Sequence, residues 1–306
     1  LRGALSLSKM NRTLLGVGIS FLLFSLSLNA QRTGIGVHHL ALEIANDVLY
    51  LPLKTDRYFT SGLQLEYGYT RYLDQGHTTR YWRVNHNIYT PAAIDSVELQ
   101  VGDRPFASYL VASHGIRNFN GTTGISLEQR WTAGALGRYA AGSQLQNAWH
   151  DMLVYADEVP GWHNEVKPDV ILNYFLGFSR DYWLGERVTI RPLGEARLGT
   201  LNTDLKVGME VEWKVLNFRD DRFLRMRFAS DTRLVGYNAT LSGGLFNRDD
   251  RYRGVVRPKT LVGSVRLEGE IVYNRLRLSG GWTYLSKEFA EGTKHLWGWF
   301  GIQRSF

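Results

Sequence analysis

Three short patterns in the chain carry side chains suited to chemistry. Asn46-Asp47 sets an amide beside a carboxylate, and such a pair can bind a hard cation such as Ca2+ through oxygen. The same pair also serves as an ordinary strand-end Asx turn. Next comes Thr55 to Gly62 (TDRYFTSG), which supplies the hydroxyls of Thr60 and Ser61. If this segment opens the return strand of a hairpin, those hydroxyls come back to the rim that holds Asn46-Asp47. Gln146 and His150 stand four residues apart, so on a helix they share a face and can meet one substrate. A histidine neutral near pH 7 can act as a general base. It can equally be a solvated or hydrogen-bonded structural side chain, one of eight histidines in the chain.

The elements that must position these residues read as strands. Leu63, Leu65, Tyr67 and Tyr69 alternate with Gln64, Glu66, Gly68 and Thr70. Leu205, Val207, Met209, Val211 and Trp213 alternate with a row that includes Asp204, Lys206, Glu210 and Glu212. Val265 to Tyr273 and Leu276 to Tyr284 repeat the pattern, joined by a tight Asn274-Arg275 turn, and His295 to Phe306 ends the chain on an aromatic residue. Alternation at period two is the mark of a strand with two unlike faces, and a soluble β-sandwich shows it too. Here charges fill many of the second positions over about ten residues, the length that crosses a bilayer at a tilt. Aromatic residues reach 13%, with 16 Tyr, 14 Phe and 9 Trp, while mean hydropathy is only −0.24. Beyond the N-terminal region no apolar run approaches the ~20 residues of a membrane helix. The expected fold is therefore all-β: a single transmembrane antiparallel β-barrel of about twelve strands. Ser143 to Leu153 (SQLQNAWHDML) breaks the alternation before Pro160-Gly161 and reads as a short helix or structured loop at the rim.

Met10-Asn11-Arg12, an apolar stretch from Leu14 to Leu28, and Asn29-Ala30-Gln31 outline a secretory signal peptide cleaved after Ala30. Residues 1–30 are thus read as upstream residues and leader, and residues 31–306 as the barrel domain. The leader holds Arg2, Lys9 and Arg12 and no acid, so removing those three lowers the net charge from +7 to +4. A mild, dispersed basic excess suits an anionic lipid surface and not the clustered stripe of a nucleic-acid binder. With no cysteine, disulfide scaffolds, thiolate metal sites and Cys nucleophiles are excluded.

Taken together and in order, Asn46-Asp47, TDRYFTSG, IYTP (Ile88 to Pro91), GDRPFASYL (Gly102 to Leu110), Gln146-x-x-x-His150 and Pro160-Gly161-Trp162 resemble the LpxR family of lipid A 3-O-deacylases. The resemblance covers about residues 36–175. It implies a twelve-stranded outer-membrane barrel that, as a monomer, removes 3-O-linked acyl chains from the lipid A of lipopolysaccharide in a Ca2+-dependent reaction. The family's catalytic positions fall on Asn46, Asp47, Thr60, Gln146 and His150. By similarity His150 activates water, Asp47 with Asn46 holds Ca2+, and Thr60 and Gln146 help position the base and substrate. The family's oxyanion lysine has no counterpart, since Ala92 to Val101 contains neither Lys nor Arg; either Ca2+ serves alone or another cation such as Lys54 or Arg104 substitutes.

Two other readings stay open. In one the barrel is an outer-membrane phospholipase with Ser143 or Ser61 as nucleophile. In the other it is a non-catalytic barrel, a channel or structural protein on the same scaffold.

Overall fold

In strands β1 (Gly36–Asn46), β2 (Tyr58–Leu73), β3 (Gly76–Thr90), β4 (Ala107–Asn120), β5 (Ile125–Leu136) and β6 (Asp169–Arg180), each neighbour pairs antiparallel with the next. After the short β7 (Tyr182–Leu184), the series continues through β8 (Val188–Gly199), β9 (Asn202–Arg219), β10 (Arg222–Asn238), β11 (Leu261–Tyr273), β12 (Leu276–Leu285) and β13 (His295–Ser305). Pairing of β1 with β13 and of β6 with β8 closes the sheet into a continuous wall. Twelve strands form that wall and β7 adds a flap beside β8. This is the expected all-β barrel. The structure is a computed structural model that describes residues 36–49, 57–153, 159–219, 221–248, 250–252 and 256–306, with side chains omitted for 149–153 and 250. The leader, Lys54 and Asp157-Glu158 lie outside the described residues, and so does the side chain of His150.

Closure follows from the alternation. Leu63, Leu65 and Tyr67 are exposed on the outside of β2, while Glu66 between them turns inward to Arg83 and His39. Across the lumen, Glu270 accepts ion pairs from Arg225 at 2.6 Å and Arg227 at 3.0 Å, and Arg227 also reaches Glu268 and Glu212. Paired charges thus fill the half of the lumen near the short turns, such as 74–75 and Asn274-Arg275. At the other end, the end of the long loops, the interior becomes apolar. Val111, Leu136, Val166, Ile171, Leu201 and Tyr252 form one buried cluster there, and Tyr58, Leu241, Val256 and Phe289 form a second.

The expected rim helix is present as α1 (Gly142–Leu153). The terminal aromatic residue also helps to hold the wall closed. The Phe306 amide donates to the His38 carbonyl at 2.9 Å, and the two rings stack at 5.8 Å.

Candidate active site on the outer face of the wall

Strand register decides on which side of the wall the candidate residues lie. On β3 the outward row is Trp82, Val84, His86, Ile88 and Thr90. Its lower members are exposed and its upper three are buried. The cover is the loop that leaves β5 at Leu136, passes outside the barrel through α1, and returns inward at Val166. His86 Nε2 meets the Ala140 carbonyl at 2.8 Å just before the helix. Ile88 packs with Phe106, Val159 and Trp162. On β4, outward-facing Ser108 is wholly buried beneath the same loop. Here the polar side chains of the outer wall are screened by protein instead of lipid.

Two glycines allow α1 to sit so close. A Cβ on Gly142 would fall 2.4 Å from Ser108 Cβ and 2.8 Å from the Trp162 ring. A Cβ on Gly161 would strike Phe106 at 2.5 Å and the Ser96 carbonyl at 2.8 Å. Only a residue without Cβ permits such approach. Trp162 then stacks on Phe106 at 5.0 Å and donates its indole Nε1–H to Gln146 Oε1 at 2.9 Å. Gln146 is thereby held buried on the barrel side of α1. His150 lies one helical turn further along α1.

Asn46 ends β1 on the outward row, opposite Ser61 on one side and Gly298 on the other. Its Oδ1 accepts the Val48 amide at 2.8 Å, an Asx turn. Asp47, 1% exposed, accepts the Arg57 amide at 3.0 Å through Oδ2. The segment that began as a carboxylate beside an amide is therefore a built corner that ties the end of β1 to the start of β2. Tyr58, next to Arg57, has φ +64, a costly conformation for an aromatic residue. Its ring is anchored edge-on to Phe289 at 5.4 Å.

Thr60 sits in a β-bulge. Register shifts between Phe59 and Ser61, so Phe59 faces Tyr89 and Ser61 faces Ile88, with Thr60 as the extra residue. The shift sends the Phe59 ring to Tyr89 and Trp297 in the lumen. Thr60 Oγ1 meets Thr90 Oγ1, the top of the outward row of β3, at 2.8 Å. Without the bulge, plain alternation from Gly62 would point Thr60 into the lumen.

Arg104 does something other than what the sequence suggests. It is 1% exposed, its guanidinium lies 4.3 Å over the Tyr89 ring, and it bonds Glu288 at 3.1 Å and Thr240 at 3.0 Å. It clamps the inner plug, on the opposite side of the wall from Thr60 and Thr90. It cannot stand in for an oxyanion lysine. Ser143 hydrogen-bonds its neighbour Gln144 at 2.9 Å.

The sequence patterns assign no role to Thr90, Ser108 or Trp162, although each lies in a quoted motif, nor to Glu165. Ser108 Oγ lies 2.6 Å from Glu165 Oε1, and burial pushes the Glu165 carboxyl up to about 7.

The barrel fold has a counterpart among known proteins. The family model for the outer membrane protein LpxR matches residues 17–306. The chain belongs to the LpxR family. LpxR from Salmonella typhimurium has a similar fold, with a TM-score of 0.75 at 20% identity over 87% of this chain and 99% of that one. The β domain of the Bordetella autotransporter BrkA matches more loosely, with a TM-score of 0.49 at 9% identity over 89% and 98%. No curated protein sequence matches the chain. As an LpxR-family barrel the chain resides in the outer membrane. Its long-loop end, with α1, is then the extracellular one, because such barrels keep their short turns on the periplasmic side.

Proposed function

We propose that this LpxR-family barrel hydrolyses the 3-O-linked acyl esters of lipid A, acting as a Ca2+-dependent deacylase with a water nucleophile. The observation that carries the reading is the burial of Thr60, Thr90 and Ser108 on the outward row at the extracellular rim, together with Gln146 on α1. A lipid of the outer leaflet reaches that face sideways, with its chains along the exposed apolar rows of β2 to β5 and its sugar at the rim. A lumenal site would require the lipid to leave the membrane.

In the proposed reaction His150 takes a proton from water, and the hydroxyl adds to the ester carbonyl. The tetrahedral intermediate collapses, the C–O bond to the sugar breaks, and the sugar oxygen takes up the proton from His150. The products are a free fatty acid and a lipid A hydroxyl. Gln146, fixed by Trp162, orients the base and substrate from the same helix. Thr60, fixed by Thr90, presents a hydroxyl from the wall.

The residues fit a hard cation. Asp47 is a buried carboxylate and Asn46 adds an amide oxygen, both oxygen donors of the kind a hard cation takes. Among the described residues no group of three His, Asp or Glu converges, so Asp47 and Asn46 would hold Ca2+ together with neutral oxygens. When bound, the ion polarises the ester carbonyl and offsets the charge that develops on its oxygen.

The test is mass spectrometry of lipid A from cells producing the protein. The wild type should remove the 3-O-linked chains; His150→Ala and EGTA treatment should each stop removal while the barrel stays heat-resistant on gels. Unchanged lipid A with the wild type would refute the reading. Full activity of His150→Ala would leave the family but remove the assigned base.

A further inference from the structure

Glu165 follows the 3-10 turn Pro160–Asn164, and its side chain is 9% exposed behind α1. Its Oε1 lies 2.6 Å from Ser108 Oγ, and that same hydroxyl lies 3.2 Å from the Gly137 carbonyl. A serine hydroxyl has one proton to donate. When Glu165 is ionised, both neighbours of Ser108 Oγ are acceptors, and one of them goes without that donor. When Glu165 is protonated, it donates to Ser108 Oγ, which donates to Gly137. Both contacts are then true hydrogen bonds, and a buried acceptor left without a donor costs free energy.

Gly137, with φ +72, is the hinge at which the chain leaves β5 for α1. Ser108 also bears directly on Gly142, the first residue of α1, and Gly142 touches Trp162. The Trp162 indole in turn holds Gln146. A continuous line of contacts therefore runs from the Glu165 carboxyl to the candidate site. We propose that Glu165, acting in its protonated form through Ser108, is a positioning residue that seats α1 and hence Gln146 and His150.

Among the described residues nearby, four charged or titratable side chains bond backbone carbonyls. Arg251 donates to the Glu165 backbone carbonyl at 2.9 Å. Lys167 donates to the Arg248 carbonyl, His163 meets the Pro160 carbonyl and His86 the Ala140 carbonyl. Burial favours the neutral carboxyl and outweighs the Ser108 hydroxyl and backbone amide, which favour the ionised one, so its position near 7 places the change of state in the physiological range.

The inference rests on the deacylase reading for its kinetic test but has a second readout that does not. Activity should fall above about pH 7 as Glu165 ionises. Glu165→Gln, a neutral donor of similar shape, should keep activity and lose the falling limb. Glu165→Ala should lower kcat/KM by roughly 10²-fold, the cost of a displaced catalytic group. Limited proteolysis of the full barrel in outer-membrane vesicles is the independent measure. Cleavage within α1 of the wild type should rise as pH is raised through 7, and in Glu165→Gln it should not. A wild type that opens with pH but leaves lipid A intact would refute the deacylase and uphold the seating. An active wild type whose pH profile and α1 cleavage match those of Glu165→Gln would do the reverse.

Discussion

The wall of this barrel buries polar groups on both of its faces, in two different ways. The lumen holds full charges in opposed sets: Glu270 alone meets Arg225, Arg227 and, at 3.4 Å, Arg277. The outward face at the extracellular rim holds mostly neutral dipoles, with Thr60 on Thr90, Trp162 on Gln146 and Ser108 on Glu165. A lattice of paired charges spends most of its donors and acceptors on itself. Hydroxyl and amide groups carry several lone pairs and protons each, and so keep capacity for a substrate. The first arrangement maintains the wall, and the second suits the proposed site.

Substitutions can separate the two. The largest effect is expected from Glu270→Ala, which removes the buried acceptor that Arg225, Arg227 and Arg277 share while Arg225 and Arg227 keep Glu212; with that compensation the cost falls to the lower end of the range for a broken buried pair, about 3 kcal/mol. Denaturant titration in detergent should show that loss, with lipid A deacylation unchanged below the transition. A loss of activity at full stability would break the division. Next comes Gly142→Val, which must displace α1 from Ser108 and Trp162. Deacylation should fall by roughly 10²-fold, while the gel heat-resistance that reports the barrel stays as in the wild type. Trp162→Phe keeps the ring on Phe106 and deletes the hydrogen bond to Gln146. Its expected cost is about 1 kcal/mol, seen as earlier proteolysis of α1 and a modest fall in kcat at unchanged unfolding midpoint.

A pH scan sharpens the contrast further. The folded-state pKa of Glu165 is raised above that of an ordinary carboxyl, to about 7. Its contribution to seating α1 is therefore complete at pH below the ordinary carboxylate range and is lost as pH rises through 7. The α1 segment should be steadier below that pH than above it, a trend that the lumen's compensated ion pairs have no reason to share.

Much of the wall is legible in the chain. The alternation around Leu63 to Tyr69 and Leu205 to Trp213 names the outward rows, the Asn274-Arg275 turn lies where expected, and Ser143 to Leu153 stands out as an interruption of the strands. The motifs also locate the rim. What they cannot give is the side of the wall. A β-bulge needs no special residue, so the placement of Thr60 on the outward row is invisible in TDRYFTSG. Arg104, a spare cation on sequence grounds, is committed to the inner plug because its partners Glu288 and Thr240 come from loops far along the chain. Glu165 carries no local pattern at all.

The sequence by itself determined a closed wall with apolar and charged faces, because a side-chain period of two assigns alternate residues to lipid and lumen regardless of what the loops do. Tertiary structure alone decided where that rule lapses. At the extracellular rim the loop through α1 folds over the outside of β3 and β4, and there protein replaces lipid as the surroundings of the outward row. His86 and Ser108 are tolerated at lipid-facing positions because that cover supplies the hydrogen bonds that a hydrocarbon cannot, and Thr60 and Thr90 are tolerated because each bonds the other.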